Sequence, residues 1–222
     1  MSATRKKPRW TRRKDARPDE IIAAALALFI ERGFAATRLD DVAARAGVSK
    51  GTLYLYFDNK EELFKAVVRG NLVPVLQYAE DLAEKFPGSP AELIRKLVHG
   101  WWQMVGSTKV AGIPKLIISE AGNFPDLAEF YYREVIQRGM RMFRRVLQRG
   151  VDAGEFRKLD MDPMMHVALA PLVMLAVWRF TFAAFERGAG LQPERYLETY
   201  VDMLLNSLRK PQAGEKKHAR KR

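Results

Sequence analysis

The stretch that decides the fold runs from Gly33 to Val67 and reads GFAATRLDDVAARAGVSKGTLYLYFDNKEELFKAV. Its apolar residues recur at helical spacing over residues 39–46, where Gly47 stops the pattern after two turns. Ser49 then suits the position just before a second short helix over residues 50–57. Two short helices joined by a tight, glycine-containing turn are typical of a helix-turn-helix, whose second helix enters the DNA major groove with its N-terminal residues leading.

The residues before this stretch supply a bracing helix over residues 18–32. Gly33 is placed to end that helix in a left-handed conformation. Thr37 to Asp40 matches a capping box, so we expect Thr37 to cap the next helix. The apolar face that packs under the helix-turn-helix is formed by Ile21, Ile22, Ala25, Leu26 and Phe29.

The whole segment from about Pro18 to Val67 resembles the DNA-binding domain of the TetR family without a gap. The matching residues are Gly33-Phe34, Thr37, Asp41-Val42-Ala43, Ala46 through Tyr54, Phe57 and Lys60 through Leu63. The resemblance implies a homodimer, a palindromic operator in double-stranded DNA, and repression relieved by a small ligand. The chain departs from the family pattern at Leu55 and Tyr56, so operator contacts cannot be copied from a relative.

Candidate DNA-contacting residues follow from these positions. Arg38 and Lys50 carry charges suited to phosphates or to guanine, Gly51 permits close approach, and Lys60 resembles a phosphate-binding lysine. Leu53 and Phe57 are expected in the core, whereas Tyr56 is left open between core and DNA contact. The full predicted set is Thr37, Arg38, Lys50, Gly51, Thr52, Tyr54, Tyr56 and Lys60.

The net charge of +12 is concentrated at the two ends of the chain. Residues 1–17 hold eight Lys and Arg against one Asp, and residues 209–222 hold seven against one Glu, so the body between them is close to neutral. We expect the first segment to be a flexible arm that contributes attraction to DNA phosphates. The role of the second basic segment stays open between DNA binding and solubility.

Composition excludes several other classes of protein. The chain has no cysteine, which rules out disulfide scaffolds and thiol catalysis and fits a reducing cytoplasm. No apolar signal segment follows the charged start, and the most apolar stretch, 167–185, is interrupted by Pro171 and Arg179. We therefore expect a cytoplasmic protein without a membrane partner and without a cofactor.

Proline punctuates a chain that we predict to be all-α, because no segment alternates with the two-residue period of strands. We expect helices over 18–32, 39–46, 50–57, 60–86, 90–106, 114–123, 125–153, 163–187 and 193–208, with bends at Pro74 and Pro171. The predicted organisation is a basic arm (1–17), a DNA-binding domain (18–67), a ligand-binding and dimerisation domain (68–208) and a basic tail (209–222).

The second domain is rich in aromatic residues that suit a pocket for a small hydrophobic or aromatic ligand. A few polar groups among them would orient such a ligand. Each aromatic residue taken alone is more often ordinary core. The predicted ligand-binding set is Trp101, Trp102, Met104, Glu120, Asn123, Phe124, Tyr131, Tyr132 and His166.

The last two helices carry more apolar surface than one small domain covers, which predicts a four-helix bundle between two copies. The predicted interface consists of Val173, Val177, Tyr196, Leu197, Tyr200, Val201, Leu204 and Leu208.

Two other functions compete with a ligand-responsive regulator. An enzyme is poorly supported, because the three histidines have no metal-binding spacing and no glycine-rich phosphate loop is present. A nucleoid-type protein that coats DNA without a ligand is favoured only by the two basic ends.

Overall fold

The computed structural model describes residues 17–188 and 190–210, and within them the fold is all-α, as predicted. The helices are α1 (Arg17–Arg32), α2 (Leu39–Arg45), α3 (Lys50–Tyr54), α4 (Lys60–Asn71), α5 (Val73–Lys85), α6 (Pro90–Trp101), α7 (Gly112–Glu120), α8 (Pro125–Tyr131), α9 (Gln137–Asp152), α10 (Met161–Thr181) and α11 (Pro193–Leu208). The only extended pairing among these residues is an isolated bridge between Phe156 and Arg209. Most of both basic segments lies outside the described residues, so their predicted roles stay predictions.

Two predicted helices are each divided in the structure. The segment 60–86 breaks at Leu72, and α5 restarts with Pro74 in its first turn, where the missing N–H costs nothing. The segment 125–153 is interrupted by a π-helical turn at Tyr132–Ile136, between α8 and α9. A second π-helical turn, Trp102–Gly106, extends α6. Turns of this kind often lie next to functional sites.

Helices α1 to α4 share one apolar core with α7 and α8. Its centre is an aromatic cluster in which the rings of Phe29, Phe34 and Phe64 lie 5.4 to 5.8 Å apart. Leu116 and Ile117 of α7 are buried in the same core. The helix-turn-helix is therefore packed firmly against the second half of the chain.

A second core joins α6, α9, α10 and α11. Its fully buried side chains include Ile94, Leu147 and Leu197, which are 0% exposed. Trp101 contacts both cores.

Helix α10 is continuous over 21 residues, with Pro171 inside it. By length and composition alone it could cross a membrane, and only 28% of its most apolar window is buried. That is weak support for a membrane span, because core helices of soluble proteins meet the same criterion.

Candidate nucleic-acid interface and internal cavity

The turn between α2 and α3 has the geometry that the sequence predicts. Gly47 adopts a positive φ of 65°, which a residue with a side chain rarely adopts. The hydroxyl of Ser49 caps α3 by accepting a hydrogen bond from the Thr52 N–H at 3.1 Å. Leu53 is fully buried beneath α3, so the opposite face of this short helix is presented to solvent.

Charged residues at the edges of this face are accessible. Arg38 and Lys50 are exposed. The Lys50 ammonium lies 2.9 Å from Asp40 Oδ1, and the hydrogen bond to that carboxylate raises the pKa of Lys50. In the free protein Lys50 is thus paired with Asp40 at the surface. Its contact with DNA, in which a DNA acceptor would replace Asp40, remains a prediction.

The outer face of α3 and the turn after it carries three exposed large side chains. Tyr54 is 44% exposed, Leu55 82% and Tyr56 41%. Gly51 is also exposed, and Thr52 is half-buried with its hydroxyl 2.8 Å from that of Ser49. The exposure favours the DNA-facing interpretation of Tyr56. Leu55 was missed as a candidate contact, although its departure from the family pattern was visible in the sequence.

Thr37 corrects the predicted capping box. The residue before α2 is Arg38, which makes no side-chain capping bond, and Thr37 is only 2% exposed. The Thr37 hydroxyl donates to the Gly33 carbonyl at 2.7 Å, with the Leu28 carbonyl at 3.3 Å. Its single proton is therefore used at the end of α1, so the predicted capping role is wrong, and a phosphate contact of this side chain stays a prediction.

Lys60 begins α4 as predicted but is partly occupied within the protein. Its ammonium donates to the carbonyls of Phe34 and Ala35 at 2.8 and 3.0 Å and lies 4.5 Å from the centre of the Phe34 ring. Partial burial lowers the pKa of Lys60. Its contact with a DNA phosphate remains a prediction, and this side chain also secures the turn after α1.

The second domain contains an apolar cavity of about 600 Å³ that is partly open to solvent. Its walls come from α5, α6, α7, α9 and α10, with Val75, Leu97, Ile118, Phe143 and Leu169 among the lining residues. The volume is within the range of small-molecule sites, which bury most of a ligand behind apolar walls and use few polar groups.

One polar group inside this cavity is unusual. Tyr131 lines the cavity and is 7% exposed, and burial raises the pKa of its phenol well above the ordinary value. Within the described part of the chain its hydroxyl has no hydrogen-bond partner. The Tyr200 hydroxyl differs, because it donates to the Ala168 carbonyl. A buried phenol in the wall of an apolar cavity is suited to a polar atom of a ligand.

Four predicted ligand residues line the cavity: Trp101, Met104, Tyr131 and His166. The other five do not line it, so the structure does not bring the whole predicted set together at this cavity, and their contact with a ligand stays a prediction. Trp102 faces the opposite side, where its Nε1–H donates to Glu194, and Tyr132 and Asn123 are exposed. Phe124 packs against Phe34 with ring centres 4.7 Å apart. Glu120 binds the backbone of the turn after α1.

Other residues that line the cavity are not in the predicted ligand-binding set. Tyr78 and Lys96 are exposed residues that line it, and Met140 and Phe143 line it from α9. Val173 and Val177, predicted at the dimer interface, line it from α10. The aromatic-rich segments of the sequence predict a pocket at α6 to α9. The parts of α5 and α10 that line the cavity carry no local sequence pattern that distinguishes them from ordinary core.

Most of the predicted dimer residues on α11 are buried within one chain. Tyr200 and Leu204 are 8% and 6% exposed, Tyr196 donates to the Pro171 carbonyl at 3.1 Å, and Leu197, Val201 and Leu208 are 0% exposed. Within one chain α6 and α10 already cover the apolar stripe of α11, so the buried residues among these are not available to a second copy. Exposed apolar side chains on α10, at its end and on α11 include Val167, Val173, Met174, Phe182 and Met203, and Val173 belongs to the predicted set.

Comparison with known proteins places these features in context. The family model described as "Bacterial regulatory proteins, tetR family" matches residues 21–67, and "Tetracyclin repressor-like, C-terminal domain" matches residues 87–203. The transcriptional repressor KstR2 of Mycolicibacterium smegmatis is 27% identical over 213 residues, covering 92% of this chain and 95% of the relative.

Two solved structures have a similar fold. The ketosteroid transcriptional regulator KstR2 of Mycobacterium tuberculosis has a TM-score of 0.64 at 23% identity, covering 89% of this chain and 97% of that one. The transcriptional regulator FadR of Bacillus subtilis, solved in complex with stearoyl-CoA, has a TM-score of 0.69 at 17% identity, covering 86% and 98%.

Proposed function

Because this chain belongs to the TetR family and is a DNA-binding transcription regulator, we propose that it is a dimeric repressor released from a palindromic operator by a hydrophobic ligand. The observation that carries this proposal is the apolar cavity of about 600 Å³, whose α7 wall also packs into the core beneath the helix-turn-helix. A wall of the cavity and the DNA-recognition helices thus share one packed core, which suits a ligand-controlled switch.

Operator recognition is assigned to the exposed face of α3 and the turn after it. Tyr54, Leu55 and Tyr56 supply apolar surface for thymine methyl groups and sugars, while Lys50 and Arg38 reach phosphates or guanine edges. In the free protein Lys50 is paired with Asp40, so binding exchanges that carboxylate for a DNA acceptor. The predicted basic arm adds attraction that is independent of base sequence.

Dimerisation is assigned to the exposed face of α10 together with Met203. Met174 and Met203 are 54% and 69% exposed, although both are apolar and lie on adjacent helices. Covering such a face with a second copy gives a two-fold assembly, and two-fold symmetry in the protein matches palindromy in the operator. The buried stripe of α11 supports this face from within each chain.

The proposed ligand has a long apolar body and a polar end. Nearly all of the cavity wall is apolar, the Tyr131 hydroxyl offers one internal hydrogen bond, and Lys96 and His166 are exposed residues of the lining. The similar FadR structure holds stearoyl-CoA, and the similar KstR2 is described as a ketosteroid regulator. Both descriptions support a ligand of acyl or steroid character for this chain.

Ligand binding would act by separating the cavity walls. Helices α5 and α7 form two of these walls, and α7 also packs into the core beneath the helix-turn-helix, so a change in the cavity walls can be passed to the recognition half. The ligand needs to favour the released arrangement by only about 1–3 kcal/mol to change operator affinity noticeably. No contact between ligand and DNA is required.

The test uses an operator duplex selected from a random DNA pool by the full-length protein. A discrete protected palindrome is expected, and stearoyl-CoA or a steroid should lower operator affinity and change tryptophan emission. Trp101→Phe should reduce the emission change, because Trp101 lines the cavity. Trp102→Phe is the matched control and should preserve it. Uniform coating of DNA without a protected site, or DNA binding insensitive to every apolar ligand bound, would contradict the proposal.

A further inference from the structure

The two-residue segment Phe34-Ala35 is held from both sides by charged groups. One oxygen of the Glu120 carboxylate accepts hydrogen bonds from the Phe34 and Ala35 N–H groups at 3.0 and 3.3 Å. The Lys60 ammonium binds the carbonyls of the same two residues at 2.8 and 3.0 Å. Hydrogen bonds to charged groups are about twice as strong as neutral ones, so this segment is fixed firmly.

This segment is the connection between α1 and the helix-turn-helix. It follows Gly33, whose φ of 86° ends α1, and it leads into α2 at Leu39. A Cβ atom on Gly33 would lie 3.0 Å from the Glu120 carboxylate, so the backbone and this side chain are closely fitted. Glu120 lies 85 residues away in sequence from Ala35, which makes it a long-range polar contact from the ligand-binding half to the recognition half.

The helix that carries Glu120 also forms part of the cavity wall. Pro114 and Ile118 of α7 line the cavity, and Glu120 is the last residue of the same nine-residue helix. Ile118 and Glu120 are therefore separated by about 3 Å along the helix axis. Ile118 is 63% exposed and lies at the open edge of the cavity; because it shares a helical turn with Glu120, we expect a displacement of α7 at the cavity to move the Glu120 carboxylate too.

We propose that Glu120 is the positioning residue that couples the cavity to the helix-turn-helix. It contacts neither DNA nor ligand and acts by holding the Phe34-Ala35 backbone at the position set by α7. The inference rests on the proposed function, since it names the route by which an occupied cavity lowers operator affinity. Without the carboxylate the protein should still fold and bind the operator. Its operator affinity, however, should no longer depend on whether the cavity is filled.

A double-mutant cycle tests this without any knowledge of the ligand. Ala79→Trp fills the cavity from α5 and serves as a built-in ligand, and Gly139→Leu fills it from α9, where an added Cβ has its nearest neighbour at 3.8 Å. Each filling substitution is combined with Glu120→Ala, with Glu120→Gln and with the control Asn123→Ala, which lies exposed just beyond the same helix. Operator affinity is measured for every folded variant, with folding checked by circular dichroism.

In the presence of Glu120, filling the cavity should weaken operator binding on the order of tenfold. With Glu120→Ala the same filling should change it by less than about twofold, the limit expected for independent sites. Glu120→Gln keeps an acceptor oxygen and should restore much of the effect, and Asn123→Ala should leave it unchanged. Equal weakening by filling with and without Glu120 overturns the coupling role alone. No effect of either filling substitution in any background overturns the proposed function with it.

Discussion

Replacing Thr37 by valine separates a structural role for its hydroxyl from a role in DNA binding. Valine has nearly the same shape and removes only the hydroxyl, which donates to the Gly33 carbonyl at 2.7 Å in a site 2% exposed. The Gly33 carbonyl then loses the partner that this side chain provides at the end of α1. Leaving a buried acceptor unpaired costs about 1–3 kcal/mol. We expect the low half of that range, because Gly33 itself is partly accessible.

A loss of about 1–2 kcal/mol in a chain of this size lowers Tm by roughly 2 to 8 °C. The assay is thermal unfolding at one protein concentration, since Tm of an oligomer depends on concentration. Operator affinity is then measured at a temperature where both proteins are fully folded. We expect it to be unchanged within about twofold, with the same dependence on salt.

The matched control is Thr52→Val on α3, where the hydroxyl is partly exposed and pairs only with Ser49. That variant should unfold close to the wild-type temperature and bind the operator less well. The argument is refuted if Thr37→Val unfolds normally while its salt slope falls by about 0.9, the loss of one phosphate contact. Such a result would return the Thr37 hydroxyl to the DNA surface.

Three further outcomes are expected. The double variant Met174→Glu, Met203→Glu should give folded monomers by light scattering, because both side chains are exposed within one chain. The control Tyr132→Glu, at an exposed residue elsewhere, should remain dimeric. A dimeric double variant would disprove the α10 interface. Tyr131→Phe should weaken binding of a polar-ended ligand such as stearoyl-CoA by about 1 kcal/mol while a pure hydrocarbon binds as before, and equal effects on both would remove the hydroxyl from ligand recognition. Glu80 pairs with Arg138 through two hydrogen bonds that lower the pKa of Glu80. The pair therefore stabilises the fold at neutral pH, and this effect is lost as pH falls from 4.5 through the lowered pKa. Glu80→Gln should cost up to about 1 kcal/mol at pH 7 and progressively less as pH falls below 4.5, and a cost independent of pH would contradict this.

Local chemistry explains why the all-α fold and the helix-turn-helix were predictable from sequence. Gly47 and Ser49 determine the turn and the start of α3 through interactions with their immediate neighbours. Pro90, Pro125 and Pro193 lie in the first turns of α6, α8 and α11, where proline is favoured. Because such signals depend only on a few adjacent residues, they allow helix starts and turns to be predicted from the sequence alone.

The partners of each side chain were much less predictable. The apolar stripe of α11 showed that one face is buried, but the periodicity is identical whether α6 or a second copy covers it. Trp101 and Trp102 are neighbours in sequence that point to the cavity and to Glu194 respectively. Glu120 looked like a polar ligand contact because its partners, the N–H groups of Phe34 and Ala35, carry no signal in the sequence.

The core that α7 and α8 share with α1 to α4 bears on how regulators of this kind can be recombined. A chimera joined at residue 67 would transplant Phe29, Phe34 and Phe64 away from Leu116, Ile117 and Phe124, against which that core is completed. A foreign effector half would then have to reproduce both this apolar contour and a carboxylate facing the turn after α1. Engineers building biosensors from such halves therefore gain more from exchanging the cavity-lining side chains of α5, α6 and α9 than from moving whole modules.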